Sequence, residues 1–249
     1  MKFIFAALLL CLSLINFGQR NVKDTTITAK HLALSYARQF PGGDLSSRYG
    51  DSNSLGLLFN VKTAKNWVFG VDGTFIFGNE VHEPGLMSNL FTENNEIIDN
   101  TGHVATIQIQ QRGFTAFATG GRVFNVIGPN SNSGLLVKLG VGFIQHKIRI
   151  EHALNKITQL EDEYLKGYDR LTNGFGLSQF VGYYHMDSKR LSNFFIGIES
   201  NQGFTQSRRD FNFDTGIADT QPRFDLLLGI RAGWVIHLYS REPEEFYTY

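Results

Sequence analysis

From residue 30 onward apolar residues recur at every second position, the spacing that puts them on one face of a β-strand. The clearest run is the last. Phe224, Leu226, Leu228, Ile230, Ala232, Trp234, Ile236 and Leu238 hold one parity, and Asp225, Gly229, Arg231, Gly233 and His237 the other. Residues 67–78 set Trp67, Phe69, Val71, Phe75 and Phe77 against Gly70, Asp72 and Thr74. Residues 134–146 set Leu135, Val137, Leu139, Val141 and Phe143 against Lys138, Gly140, Gly142 and His146. Shorter runs are Leu32, Leu34, Tyr36; Leu55, Leu57, Phe59, Val61; and Phe194, Ile196, Ile198 opposite Gly197 and Glu199. Two runs are less regular. In 112–125, Arg112 and Arg122 share a parity, which favours Thr115, Phe117, Thr119 and Val123 as the apolar face; in 174–186, Gln179 interrupts Phe175, Leu177, Val181 and Tyr183. A bulge or a register shift stays open in both.

These runs predict eight strands whose connections alternate in length. Short links follow the even strands, at 64–66, 127–133 and 187–191; long ones follow the odd strands, at 41–53, 79–111, 147–173 and 205–222. That alternation predicts an all-β fold, an eight-stranded antiparallel up-and-down transmembrane β-barrel with short periplasmic turns and long extracellular loops. The competing architecture is a soluble lipocalin-like barrel, whose outer face is solvated and rich in Lys and Glu. Here the less apolar parity is mostly Gly, Ala, Ser and Thr with few charges, which suits a narrow lumen, while the other is bulky and aromatic, which suits lipid.

Composition sharpens the picture. The 249 residues carry 23 Lys+Arg and 23 Asp+Glu, so the basic excess of a nucleic-acid binder is missing. The one cysteine, Cys11, rules out a disulfide framework and a cysteine-based zinc site. Lys2 followed by the apolar run Phe3 to Leu12 has the form of an export signal. The expected organisation is a cleaved leader at 1–18, a barrel over 19–239 and a periplasmic tail at 240–249. No later stretch is long and apolar enough for a transmembrane helix, so membrane insertion would be by strands.

Several runs add a resemblance. Gln19-Arg20 stands at the leader junction; the interior carries Gly167-Tyr168-Asp169-Arg170-Leu171-Thr172-Asn173-Gly174 and the stretch from Gln202 to Phe211; the chain closes with Arg241 to Tyr249. With these runs the chain resembles small outer-membrane β-barrel proteins of the OmpA/OmpX type, most like barrels of Bacteroidota, as architecture throughout and in wording over the second half. The resemblance implies a place in the outer membrane, contact with its lipid and lipopolysaccharide, and for some such barrels a role as accessory subunit of a secretion or barrel-assembly machine. One feature departs from the pattern: ten residues follow Tyr239, so the aromatic that closes the last strand is not the chain end.

Candidate chemistry is sparse. Asp72, Glu199 and Asp225 against Lys62, Arg122, Lys138 and Arg231 form a balanced set on the lumen parity, expected to pair and plug the barrel rather than line an ion path. None of the seven histidines has Ser two residues on, the spacing that a lipid-modifying barrel hydrolase resembling this fold would use, and no metal or cofactor motif is present. The long loops remain. In 153–172, Ile157, Leu160, Tyr164, Tyr168 and Leu171 recur at three and four, predicting an amphipathic helix that caps the mouth or meets a partner. In the last loop Arg208 and Arg209 sit beside Phe211 and Phe213, a combination suited to lipopolysaccharide phosphates. Leu160, Tyr164, Tyr168, Arg208 and Arg209 are therefore the candidate partner-binding residues, with no catalytic, cofactor or metal site expected. Beside a lipid-modifying barrel enzyme, which the histidine spacing disfavours, two function classes stay open: a non-catalytic accessory subunit of an envelope complex, and a free-standing barrel that binds a ligand or adheres through its loops.

Overall fold

The structure, a computed structural model, describes residues 25–152, 156–187 and 192–238. The expected leader and C-terminal tail lie outside the described residues. Eight strands follow one another: β1 (Ala29–Gly43), β2 (Ser52–Lys62), β3 (Trp67–Gly78), β4 (Gln108–Phe124), β5 (Gly134–Glu151), β6 (Thr172–His185), β7 (Phe194–Ser207) and β8 (Pro222–Leu238). Each pairs antiparallel with the next, and β1 pairs with β8 from Lys30↔Leu238 to Gly43↔Asp225, so the sheet closes into a barrel without an edge. Among the described residues no helix is long and apolar enough to cross a membrane.

Parity along the strands sorts the surfaces as period two requires. On β8, Phe224, Leu228, Ile230, Ala232 and Trp234 face outward and are exposed, while Asp225, Leu227, Arg231, Val235 and His237 are buried inside. The same sorting holds for β3, β5, β6 and β7, in the parity expected from the sequence. Bulky apolar side chains on the outer face of a water-soluble barrel would be a severe liability; facing lipid they are the source of its stability.

Two aromatic rows bound this belt. On the loop side Phe175 pairs with Phe204 and Phe204 with Phe224 across β6, β7 and β8, with ring centroids 6.5 and 5.6 Å apart, and Phe143, Phe114 and Phe75 continue the row. On the turn side stand Trp67, Phe69, Phe124, Tyr183, Phe194 and Trp234. Phe194 to Phe204 is ten residues along one strand. At ~3.3 Å per residue and a tilt near 40° this spans about 25 Å along the bilayer normal, the height of a lipid belt.

Strand β4 departs from expectation. Its inner face carries Gln111, Gly113, Thr115, Phe117, Thr119 and Val123, so the parity expected to meet lipid faces the lumen. Arg122, expected inside, is exposed on the outside, with its guanidinium 5.5 Å from the Trp67 ring and 5.6 Å from Phe124. Here it lies in the turn-side aromatic row, where a long cation extends toward water. The reason for the inversion lies on β6: a Cβ on Gly176 would come within 2.8 Å of the Phe117 ring, so the missing side chain is the space that takes an inward phenylalanine.

Several strands also run further into the loops than the alternation suggested. β4 and β5 pair from Gln108↔Glu151 down to Phe124↔Leu135, extending the hairpin beyond the loop-side aromatic row. There the outer parity turns polar at Gln110, Arg112, Lys147 and Arg149, while Ile148 and Ile150 stay buried inside.

Leu228 lies four residues from Phe224 and six from Trp234, close to the middle of the belt. Leu228→Arg is expected to lower unfolding free energy by about 2–4 kcal/mol, measured by urea unfolding in phospholipid vesicles; an unchanged midpoint would mean that this face does not meet hydrocarbon.

Candidate functional site

The lumen holds side chains, not an open pore. Near its middle Lys138 Nζ meets Asp72 at 3.0 Å and Asn60 Oδ1 at 3.1 Å. Arg231 Nη1 meets Glu199 at 3.2 Å and lies 3.8 Å from Asp72, and its guanidinium also donates to Ser35 Oγ. Gln39 Nε2 donates to the other Glu199 oxygen at 2.9 Å. Six strands contribute to this cluster (β1, β2, β3, β5, β7 and β8). A charge buried alone there would be prohibitive; paired and hydrogen-bonded, the set is neutral and tolerable. Beside it lies a cavity of about 30 Å³ lined by His31, Asn60, Asp72, Lys138 and Arg231 among others, room for a water and not for a path.

The turn-side end is closed from below. Asn132, in the turn between β4 and β5, accepts the Ile27 N–H at 2.9 Å and Lys62 Nζ at 2.8 Å, and donates to the Thr25 carbonyl at 2.8 Å. Ile27 joins Leu58, Val68, Leu136, Phe180, Tyr184 and Phe195 in an apolar cluster, and Tyr184 Oη lies 3.0 Å from His237 Nε2.

The loop-side end is closed by a folded cap. Its core is Leu45 and Tyr49 from the first loop, Leu86, Met87 and Ile97 from the second, Ile157, Leu160 and Tyr168 from the third, packed on Ile76, Ile144, Ile148 and Leu227 of the barrel. Ion pairs tie the loops together. Glu83 receives Arg48 Nε at 2.6 Å and Arg170 Nε at 3.1 Å; Arg170 Nη2 meets both Asp214 oxygens at 2.6 Å; Asp214 also accepts the Met87 N–H at 3.1 Å. One chain of contacts, Arg48, Glu83, Arg170, Asp214, thus joins all four loops. Arg170 adopts φ 50°, a left-handed conformation uncommon for a side-chain-bearing residue, held by its contacts on both sides. Burial pushes the Tyr49 phenol up, so this buried hydroxyl stays neutral.

The five candidate residues separate within this cap. Leu160 and Tyr168 are 1% and 2% exposed, inside the chain's own core, and Tyr168 Oη accepts from Asn89 at 3.0 Å. Arg209 forms a two-pronged pair with Asp169, at 2.7 Å from Nε and 2.5 Å from Nη2; this hydrogen bonding holds its guanidinium pKa above the ordinary value. Arg208 points to the rim and donates to Asn173 Oδ1 at 2.6 Å. Tyr164 is 58% exposed and touches Phe213, with centroids 6.4 Å apart. Residues 153–172 do not form the amphipathic helix that the spacing suggested. The described part holds a turn of 3-10 helix, Thr158–Leu160, and the four-residue helix α1 (Asp162–Leu165). The three-and-four spacing instead serves a compact coil whose apolar side chains turn down into the cap.

The aromatic surface of the cap was legible only in part. Tyr164, Phe211, Phe213 and Ile217 are all exposed, and Phe211 and Phe213 lie 6.2 Å apart. The Asn212↔Ile217 bridge that folds the last loop back on itself, and brings Ile217 to this patch, has no signature in the sequence. Glu83, Arg48 and Asp214 likewise carry no local signal, since nothing in the sequence marks loop charges whose partners lie 35 to 87 residues away. Among the described residues no three His, Cys, Asp or Glu side chains converge as a metal site.

Asp72→Asn is expected to cost about 3–5 kcal/mol, because Lys138 would lose its buried counterion and Arg231 a neighbouring one; urea unfolding of the reconstituted barrel measures this, and a loss below 1 kcal/mol would mean the lumen is hydrated enough to screen the charges. Arg170→Ala is expected to open the cap while leaving the barrel folded: protease cleavage in 79–107 and 208–221 should accelerate with heat-modifiable migration retained. Cleavage at the wild-type rate would show that the apolar core holds the loops without the ion pairs.

No protein-family model matches the chain, and no curated protein does. Among solved structures it is similar to Neisserial surface protein A, at 11% identity and TM-score 0.43, over 83% of this chain and 96% of that one. It is similar also to the outer membrane protein OprG from Pseudomonas aeruginosa, at 12% identity and TM-score 0.41, over 88% and 100%. A third is Ail, the attachment invasion locus protein of Yersinia pestis, at 13% identity and TM-score 0.39, over 84% and 99%. At this distance the membrane architecture rests on the chain's own features: a closed eight-stranded ring, an apolar belt between two aromatic rows, and long loops confined to one end.

Proposed function

We propose that the protein is an integral outer-membrane barrel that neither conducts nor catalyses, and that it serves as a structural or accessory subunit of a cell-envelope complex of the secretion or barrel-assembly kind. The observation that carries this reading is the cap. Four loops are locked by buried ion pairs into one rigid surface, and that surface leaves Tyr164, Phe211, Phe213 and Ile217 exposed together. Clustered aromatics on a rigid base are what a protein partner buries at the centre of an interface. A non-conducting role is supported by the filled lumen. A non-catalytic one is supported by the histidines: His146 is engaged with Asp225 at 2.8 Å and His237 lies beside Tyr184, both buried inside the barrel.

Lipid is the second partner. At the rim Phe175, Phe204 and Phe224 floor an open groove of about 530 Å³ whose upper edge carries Arg208, Arg223 and Asp44. Aromatic rings below and guanidinium groups above suit acyl chains and phosphorylated headgroups of lipopolysaccharide. The same rigid cap also serves the alternative reading, a free-standing barrel that binds a ligand or adheres through its loops.

Purification from mildly solubilised membranes separates the two: a subunit is recovered with a larger complex, a free-standing barrel at its own mass. Tyr164→Asp with Phe211→Asp should abolish that co-recovery at unchanged unfolding midpoint, because both side chains are exposed. Leu160→Asp, in the cap core, should instead lower stability by about 3 kcal/mol or more. Retention of the complex by the surface pair would remove the cap as its docking face, and a barrel that opens stable porin-sized channels in planar bilayers would end the non-conducting reading.

A further inference from the structure

Outside the loops, the lipid-facing belt exposes large apolar side chains on all eight strands. Between its aromatic rows the described outward side chains of β2, β3, β4, β5 and β8 are apolar or glycine; on β1 the outward Arg38 is charged, and it reaches to the first loop, pairing with Asp51 at 3.0 Å and donating to Asn53 at 3.3 Å. The outward polar groups without such a tie to a loop charge lie in one place, where β6 meets β7: Gln179, Ser200 and Gln202, all outward and all partly exposed. Gln179 and Ser200 are opposite one another in the register, and Gln202 is opposite Leu177. Gln179 Nε2 donates to Gln202 Oε1 at 3.3 Å, so the two amides form one patch. Its depth is central. Gln179 lies four residues from both Phe175 and Tyr183, and Ser200 four residues from Phe204 and six from Phe194.

An amide in hydrocarbon has no water to bond, and a carboxamide has two donor hydrogens and an acceptor oxygen with two lone pairs. The single contact between Gln179 and Gln202 leaves most of that capacity to something arriving through the membrane. Lipid tails offer nothing. The geometry points to a second copy of this chain, seated β6–β7 face to β6–β7 face, as the occupant.

Three features of the molecule favour a copy of itself. All copies insert with their loops on the same side, so two of them can be related symmetrically only by an axis along the bilayer normal. Such an axis keeps depth constant, and a polar patch at one depth therefore meets the identical patch. A carboxamide is also its own complement, donating and accepting at once, so patch on patch satisfies both partners. Finally, on the opposite side of the barrel the belt presents apolar side chains, with Leu34, Leu57, Phe59, Phe69 and Val71 exposed there. Head-to-tail packing into a ring would set amides against those side chains and satisfy nothing; the closed two-fold pair is the arrangement that does.

Crosslinking in the membrane tests this. In a Cys11→Ser background, Ser200→Cys places a thiol within the patch and Leu57→Cys places one on the far side as control; both proteins are reconstituted in phospholipid vesicles at the same lipid-to-protein ratio and treated with a short bis-maleimide. The expected result is a band at twice the chain mass for Ser200→Cys, well above the control. Adding Gln179→Leu with Gln202→Leu should reduce that band about fivefold, the effect of roughly one hydrogen bond between membrane segments, while heat-modifiable migration shows the barrel intact. Equal yields at the two cysteine positions, or a yield that the leucine pair leaves unchanged, would overturn the proposal. So would a Ser200→Cys adduct in native membranes that contains a different protein in place of the second copy.

Discussion

Inside a bilayer each backbone N–H and C=O must find its partner within the protein, and a sheet meets that demand only by closing on itself. The β1–β8 register, unbroken from Lys30↔Leu238 to Gly43↔Asp225, is that closure, and the remaining features follow from it. Eight strands enclose a lumen too narrow for bulk water, so what points inward must be small or must fit its neighbours. Gly182 and Gly197 face each other across β6 and β7, and Phe180 lies over both, so that a Cβ on either would meet its ring at 2.7 or 2.8 Å. The space given up by glycine on one pair of strands is filled by an aromatic from the same layer, which pins the register by shape.

Narrowness also explains how charge is handled. Lys138, Asp72, Arg231 and Glu199 lie where an unpaired ion would be expelled, and they lie there as interlocked pairs with Asn60, Ser35 and Gln39 filling the remaining hydrogen-bond positions. The cap solves a different problem by related means. Its loops lack a sheet ladder along most of their length, and the buried chain Arg48, Glu83, Arg170, Asp214 replaces it with side-chain bonds whose geometry is specific in direction as well as charge. In the lumen the pairs make a necessary interior tolerable; in the cap they select one arrangement of four loops among many.

The outer surface divides by depth in the same physical terms. Lipid accepts the bulky parity between the aromatic rows, the interface accepts rings and long cations such as Arg122, and above it the β4–β5 hairpin turns its outer face to Gln110, Arg112, Lys147 and Arg149. The polar patch at Gln179, Ser200 and Gln202 departs from that rule in the middle of the belt. Such a departure is meaningful because the patch lies at mid-depth, whereas the outward Arg38 of β1 is tied to the loop residue Asp51.

Much of this was written locally. Period two is a property of neighbouring residues, so the strand number, the alternation of short and long links, and the inward parity of Asp72, Lys138, Glu199 and Arg231 were legible from the chain alone. What escaped it was set by residues far apart. Strand β4 offers Thr115 and Phe117 on one side and Ala116 and Ala118 on the other, and neither parity is apolar enough to declare itself; the vacant space at Gly176, on another strand, decided that Phe117 goes inward and Arg122 out. In the third loop a three-and-four spacing suits a helix and a compact coil equally, and contact with Leu86, Met87 and Ile148 selected the coil. Alternation therefore specified that there would be a barrel, because burial face is a short-range pattern. Which lumen charges pair, how four loops share Arg170, and which face of β4 meets lipid were decided by tertiary structure, because size and charge complementarity exist only between strands and loops already brought together.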